Sequence, residues 1–160
     1  MTLQIRPMAD DDLKAVVHLS LLAWEPVFHS FAQVLGNEIY KLIYPNWQKA
    51  QSEVVTATCQ DENISVWVAD VDGSVAGFVA CTFDHDKLEG EVYMLAMHPD
   101  HQNQGIGTQL NFFALERMKE NGMKLVSVGT GGDPGHAPAR RSYEKAGYTP
   151  LPIVRYYKAL

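Results

Sequence analysis

Met94-Leu95-Ala96-Met97-His98-Pro99-Asp100-His101-Gln102-Asn103-Gln104-Gly105-Ile106-Gly107-Thr108-Gln109-Leu110 is the stretch from which the fold can be read. A strand ends at Met97, a loop crosses His98 to Gln102, and Gln104-Gly105-Ile106-Gly107-Thr108 opens a helix. Two glycines at such a junction let a ligand approach the main chain without Cβ atoms in the way. A helix start presents unpaired N–H groups and the positive end of its dipole, which suits phosphate. The same glycines would equally serve close packing of strand on helix, and the fragment alone does not choose. It is not a dinucleotide fingerprint, because Leu110 stands where a third glycine is needed. It is not a P-loop either, because no Gly-Lys-Ser/Thr follows the glycines.

Upstream of this junction, Ile64, Val66 and Val68 alternate with Ser65, Trp67 and Ala69, Asp72-Gly73 makes a hairpin turn, and Val75 to Phe83 returns. Acidic residues Asp84, Asp86 and Glu89 lead into the strand Glu91 to Met97. Before these, Leu3 to Arg6 reads as a short strand and Asp10 to Asp12 as the charged start of a helix. Leu13, Val16, Val17, Leu21 and Trp24 then follow at helical spacing. Pro26 interrupts that helix, a second one carries Ile39, Leu42, Ile43 and Trp47 until Pro45 ends or kinks it, and with Gly36 these prolines make the region a broken pair of helices. Downstream, Leu110, Phe113, Ala114 and Met118 mark an amphipathic helix closed at Asn121-Gly122. Lys124 to Thr130 is a strand, Ala139 to Lys145 a short helix stopped by Gly147, and Ile153 to Lys158 a last strand. The pattern predicts one mixed α/β domain over residues 1–160, with no linker, repeat or low-complexity segment.

A net charge of −6 argues against general nucleic-acid binding, which needs clustered Lys and Arg. No apolar run approaches a membrane span, and acidic residues rather than a signal peptide stand near the N-terminus. Cys59 and Cys81 are far apart and form no CxxC motif, as expected of free thiols in a reducing compartment. A cytoplasmic location, with neither membrane nor nucleic acid as partner, is the expectation.

Gln102-Asn103-Gln104-Gly105-Ile106-Gly107 matches the Gln/Arg-x-x-Gly-x-Gly/Ala motif of the GNAT superfamily of acyl-CoA-dependent N-acetyltransferases. Tyr143-Glu144-Lys145-Ala146-Gly147-Tyr148 resembles that family's late Tyr-Glu-Lys-x-Gly-aromatic signature, and the order of elements between the two agrees from about residue 64 to 148. The resemblance implies a mixed, mostly antiparallel sheet flanked by helices, with a shortened C-terminal strand region. It also implies acetyl-CoA as co-substrate, with no metal. Main-chain groups of Leu95, Ala96 and Met97 would pair with the pantetheine arm. Amides from Asn103 through Gln104, Gly105, Ile106 and Gly107 to Thr108, next to Gln102, would hold the pyrophosphate.

Acetyl-CoA is already activated, so the chemical difficulty lies in the amine. An alkylammonium of pKa about 10.4 loses a proton at pH 7 at a cost of roughly 4–5 kcal/mol. For the acid that protonates the leaving thiolate, the resemblance points to Tyr143. For the base it points to Glu91, at the start of the strand that lies along the cofactor. His136 departs from the asparagine many members carry there; cofactor contact, catalysis and plain loop placement stay open for it. Arg140 and Arg141 open the short helix that follows, and one of them would reach a coenzyme phosphate on this reading, though exposed arginines on a helix are ordinary. His98 and His101 lack a third ligand in any metal-binding spacing. Trp24, Glu25 and Phe28 on the early helices are candidates for the acceptor pocket, where acidic residues would draw in a cationic amine. The acceptor is then a primary amine, with a small molecule favoured over a protein N-terminus or lysine. A non-catalytic acyl-CoA-binding sensor of the same fold is the alternative. Only Pro150-Leu151-Pro152 separates Tyr148 from the last predicted strand, which puts in question the wall and the homodimer often built there.

Overall fold

The computed structural model describes residues 1–160. Five strands, β1 (Leu3–Pro7), β2 (Ser65–Val71), β3 (Ser74–Asp84), β4 (Glu89–Met97) and β5 (Leu125–Val128), form one sheet in the order β1-β2-β3-β4-β5. The first three pairings are antiparallel and the last, β4 with β5, is parallel. The helices are α1 (Leu13–Ile43), α2 (Trp47–Gln60), α3 (Ile106–Glu120) and α4 (Ala137–Lys145). This is a mixed, mostly antiparallel sheet flanked by helices.

Hydrophobic patterning explains the layering. β3 is buried from Ala76 to Cys81 because both faces of the sheet are covered there. Val79 and Cys81 join Val92, Ile106, Leu110, Ala114 and Met118 in a core under α3. Phe78 turns the other way, with Val68 and Ala96, to meet Val16 and Leu19 of α1 and Val55 of α2. At the β2–β3 turn Asp72 (φ 51°) and Gly73 (φ 87°) both take positive φ, the conformation a two-residue hairpin with right-handed twist requires.

Three expectations are corrected. Pro26 does not interrupt the first helix: α1 carries it, and the break comes at Gly36, whose φ of 77° and ψ of 161° are open only to glycine. The chain leaves α1 at Tyr44, ahead of Pro45, and Trp47 begins a separate helix. Asn46 caps it by accepting from the Lys49 amide at 3.2 Å. The length of α2 escapes sequence reading because its inward face is narrow, with only Val55 and Thr58 buried. The third correction is the last strand. Residues 153–158 form no strand, and Ile153, Val154 and Tyr156 are exposed. Pro150 and Pro152 remove two ladder donors, and no strand lies on the far side of β5 to receive the segment.

The N-terminal strand is tied to α1 by charge. The Arg6 guanidinium donates from Nη1 to Asp12 Oδ2 at 2.7 Å and from Nη2 to Asp12 Oδ1 at 3.1 Å. It also reaches Asp70 Oδ2 on β2 from Nε at 3.2 Å and Nη2 at 3.1 Å. This hydrogen bonding holds the Asp12 carboxyl below its ordinary value, despite burial that works in the opposite direction. A depressed carboxylate pKa stabilises the fold above the unfolded value of about 3.9 and is lost as pH falls through the folded one. Asp12→Asn should therefore cost about 1.5–3 kcal/mol at pH 7 and weaken the acid-side fall in urea midpoint below about pH 4. An unchanged acid limb in the variant would remove the pair from the stability account.

Candidate functional site

β4 and β5 pair from Glu89 and Leu125 as far as Val92 and Val128, and then part. Beyond that point β4 continues to Met97 with no strand paired on its β5 side, while the other chain turns away through Gly129 and Thr130. The strand is further deformed at Tyr93. Ala80 faces Met94 and Cys81 faces Val92, so Tyr93 is an extra residue on β4, a bulge that turns main-chain groups out of the ladder. A cleft of about 650 Å³ fills the wedge. Its walls are Val92 to Met97, the start of α3, the inner side of α4, and Ala23, Trp24, Pro26 and Val27 of α1.

At one end of the cleft lies the glycine junction. Asn103 (φ 60°) and Gly105 (φ 80°) are both left-handed, and Gly105 is the N-cap of α3 with no side chain capping it. The first helical bond is Gln109 N–H to Gly105 O, at 3.1 Å, so the amides of Ile106, Gly107 and Thr108 have no intrahelical acceptor. Packing does not demand these glycines. A Cβ at Gly105 would meet nothing within 4 Å, and one at Gly107 would sit 3.6 Å from Met97 Cγ, an ordinary contact. The space Gly107 leaves open belongs to the cleft, and the junction has the form of an anion cradle made from main chain.

Of the residues singled out from sequence, the cleft brings together Leu95, Ala96, Met97, Gln102, Asn103, Gly105, Gly107, Thr108, His136, Tyr143 and Trp24. Gln102 also donates weakly to Met97 O at 3.4 Å, which ties the loop to the end of β4. The others lie elsewhere. Gln104 turns outward to donate to Asp100 O at 3.2 Å, and the Ile106 side chain is fully buried in the core, leaving only its amide for a ligand. Glu91 is exposed, in register between Thr82 and Ser127, and is not part of the cleft wall. Glu25 is exposed beside the cleft residues Trp24 and Pro26 without lining it. Phe28 is buried, stacked on Trp47 at 4.5 Å and edge-on to Phe31 and Tyr44, so it holds α1 to α2. Arg140 is likewise occupied, donating to the carbonyls of Gly131 at 2.6 Å and Asp133 at 2.8 Å. His98 and His101 pack edge to face at 6.0 Å, and no group of three or more His, Cys, Asp or Glu side chains is placed to hold a metal ion.

Burial pushes the Tyr143 phenol above its ordinary value, so it stays protonated through neutral pH. Its ring packs edge to face on Tyr148, with centroids 5.8 Å apart. Tyr148 entered the sequence reading only as the aromatic that closes the late signature, with no role in the site. Its hydroxyl is buried without a partner and, chiefly through that burial, is pushed up to about 12. Asn111 was missed: fully buried on α3, it donates from Nδ2 to Ser142 Oγ at 2.9 Å, fixing α4 at the residue beside Tyr143. An asparagine next to Leu110 on an otherwise apolar helix face was the available signal.

A family model described as the acetyltransferase (GNAT) family matches residues 34–148. A mycothiol acetyltransferase of Sanguibacter keddieii is 33% identical over 90 residues, covering 53% of this chain and 28% of that protein. The chain thus matches well under two thirds of that relative's length. Among solved structures, the PaiA N-acetyltransferase of Thermoplasma acidophilum in complex with coenzyme A superposes with a TM-score of 0.70 at 18% identity, covering 93% of this chain and 91% of that one. An aminoglycoside acetyltransferase from an uncultured soil metagenomic sample, in complex with sisomicin, gives 0.63 at 21% identity, covering 99% and 96%. At such identities these two likenesses establish the fold alone.

Proposed function

The chain belongs to the GNAT family of acetyltransferases, and from that premise we propose that it transfers acetyl from acetyl-CoA to a primary amine, a small molecule in preference to a peptide. The observation that carries this reading is the continuity of the cleft. One surface joins the unpaired edge of β4 to the uncapped first turn of α3. An extended amide-bearing arm can add to the strand edge while its diphosphate meets the helix N-terminus. That arrangement lets a chain of net charge −6 accept a polyanion without a basic patch, because the field that matters is local.

Direct attack by the amine suits the site's chemistry. Neither cysteine lines the cleft, and burial pushes the Cys59 thiol up to about 11 and the Cys81 thiol up to about 12, so no thiolate stands ready to take the acetyl group. Tyr143 holds a proton for the departing thiolate, and the fixed cleft replaces the entropy cost of bringing two substrates together. Trp24, Pro26 and Val27 form an apolar wall at the acceptor end, a scale suited to a small amine.

Thiol release from acetyl-CoA, followed over a panel of spermidine, sisomicin, a peptide with a free N-terminus and a lysine-bearing peptide, tests this. Turnover is expected with a small amine and little with either peptide. Preference for a peptide overturns the substrate class. Tight coenzyme A binding with no turnover of any amine makes the protein a binding module instead.

A further inference from the structure

The loop that joins β5 to α4 holds a charge arrangement that the reaction scheme above leaves unused. Asp133 accepts from the Ser30 hydroxyl of α1 at 2.7 Å and from the Gly135 amide at 3.1 Å, both on Oδ2. Its other oxygen, Oδ1, lies 2.5 Å from His136 Nδ1. The Asp133 side chain is 9% exposed and that of His136 15%. Burial alone would raise the Asp133 pKa, but the hydrogen bonds from His136 and Ser30 outweigh it and hold the group below the ordinary carboxylate value. An ionised carboxylate only accepts, so the proton in the short contact belongs to Nδ1. In its neutral form His136 would then carry the free lone pair on Nε2, and the residue lines the cleft.

Two glycines make room for this arrangement. A Cβ at Gly131 would collide with Asp133 Oδ1 and His136 Nδ1, and one at Gly135 would come within 2.7 Å of Ser30 Cβ. The groups around the pair are few. α1 contributes Ser30 and Phe31, whose ring lies 5.5 Å from the imidazole. α4 contributes Arg140, bonded to the Asp133 carbonyl, and Tyr143 and Lys145 in the cleft wall. The α3 loop adds His101, and Tyr44, with Arg155 and Tyr157 beyond it, lies near enough to Asp133 to feel its charge.

We infer that Asp133, steadied by Ser30, fixes His136 in the tautomer whose Nε2 takes the proton from the acceptor ammonium. The inference rests on the acetyl-transfer reading. In the balanced reaction, two protons leave the amine nitrogen. The first passes from the ammonium to His136 Nε2 and on to solvent. The neutral nitrogen then forms its bond to the thioester carbon, and the carbon–sulfur bond breaks as Tyr143 donates to sulfur. The second nitrogen proton restores the phenol. The products are the amide, the free thiol and one proton in solvent.

His136→Ala should lower kcat about 100-fold at pH 7, with the KM for acetyl-CoA within about threefold of wild type. The deficit should shrink as pH approaches that of the free amine, and added imidazole should restore part of the rate. Gly131→Ala, which displaces the pair without removing either member, should show the same kcat and KM signature. Independently of any acceptor, nitrogen NMR of labelled histidine should find His136 as the Nδ1–H tautomer and Asp133→Asn should lose that bias; His136→Gln substitutes should His136→Ala fail to fold. A raised KM for acetyl-CoA with wild-type kcat would make His136 a cofactor contact and overturn the inference. An Nε2–H tautomer in the wild type would overturn it as well. Absence of turnover by the wild type on every amine would instead sink the acetyl-transfer reading, and this inference with it.

Discussion

Gly107→Val is expected to yield a folded protein whose affinity for coenzyme A has fallen at least about 100-fold. The first half of that expectation comes from the space around the residue. Gly107 lies inside α3 with helical torsions, and its missing Cβ would meet only Met97 Cγ, at 3.6 Å. Glycine within a helix is itself unfavourable, by roughly 0.5–1 kcal/mol against alanine, so the fold loses little on substitution. The second half comes from where the added methyl groups go. Gly107 lines the cleft, and its amide is one of the donors of the first turn without an intrahelical acceptor. A β-branched side chain there occupies the volume that a phosphate needs in order to reach those donors. Hydrogen bonds to a charged ligand contribute about 1.5–3 kcal/mol each, so excluding two of them accounts for the predicted loss. Calorimetric titration with coenzyme A, beside a thermal unfolding curve, separates the two halves. An unchanged Kd in a folded variant would place the diphosphate elsewhere. Gly105 makes the contrasting case, since its φ of 80° strains any side chain and a loss there would mix backbone strain with lost binding.

The fold was legible where local pattern and final structure follow the same rule. Alternation in residues 64–69, Asp72-Gly73 at a turn with two positive φ values, and the glycine junction before α3 all carry their geometry in a few neighbouring residues. Reading failed where a remote partner decides. Of the two breakers read in this region, Pro26 stays inside α1 although it supplies no N–H, whereas Gly36 does break it, in torsions only glycine adopts. Ile153, Val154 and Tyr156 have the apolar character of a strand but no neighbour to pair with. The site divides along the same line. The cradle at Gly105 and Gly107 is contiguous in sequence, so its motif could be seen. The arrangement around His136 joins Ser30 to Asp133, 103 residues apart, and depends on the absence of Cβ atoms at Gly131 and Gly135. Glu91 is placed otherwise. It is the third residue of β4, where pairing with β5 is still intact, and the wedge opens only beyond Val92.

Tyr143→Phe should lower kcat about 100-fold or more while leaving the KM for acetyl-CoA nearly unchanged. The substitution removes one oxygen and keeps the ring, so the edge-to-face contact with Tyr148 survives and α4 stays where Asn111 and Ser142 hold it. What disappears is a proton donor within the cleft. A departing thiolate, with a pKa near 8.5 for an unperturbed thiol, can leave unprotonated, but only with its charge developing in a partly desolvated site. The pH dependence distinguishes this role from packing. Tyr143 acts in its protonated form, and burial raises its pKa, so the wild-type rate should hold above pH 10 before the phenol is lost. In Tyr143→Phe that alkaline fall has no group to produce it, and kcat should run level there on a lower plateau. Wild-type turnover by the variant would remove Tyr143 from proton transfer. A reduced rate that kept the same alkaline fall would assign the titration to another group, with Tyr148 the nearest candidate since its hydroxyl is pushed up to about 12 and lies beside Tyr143.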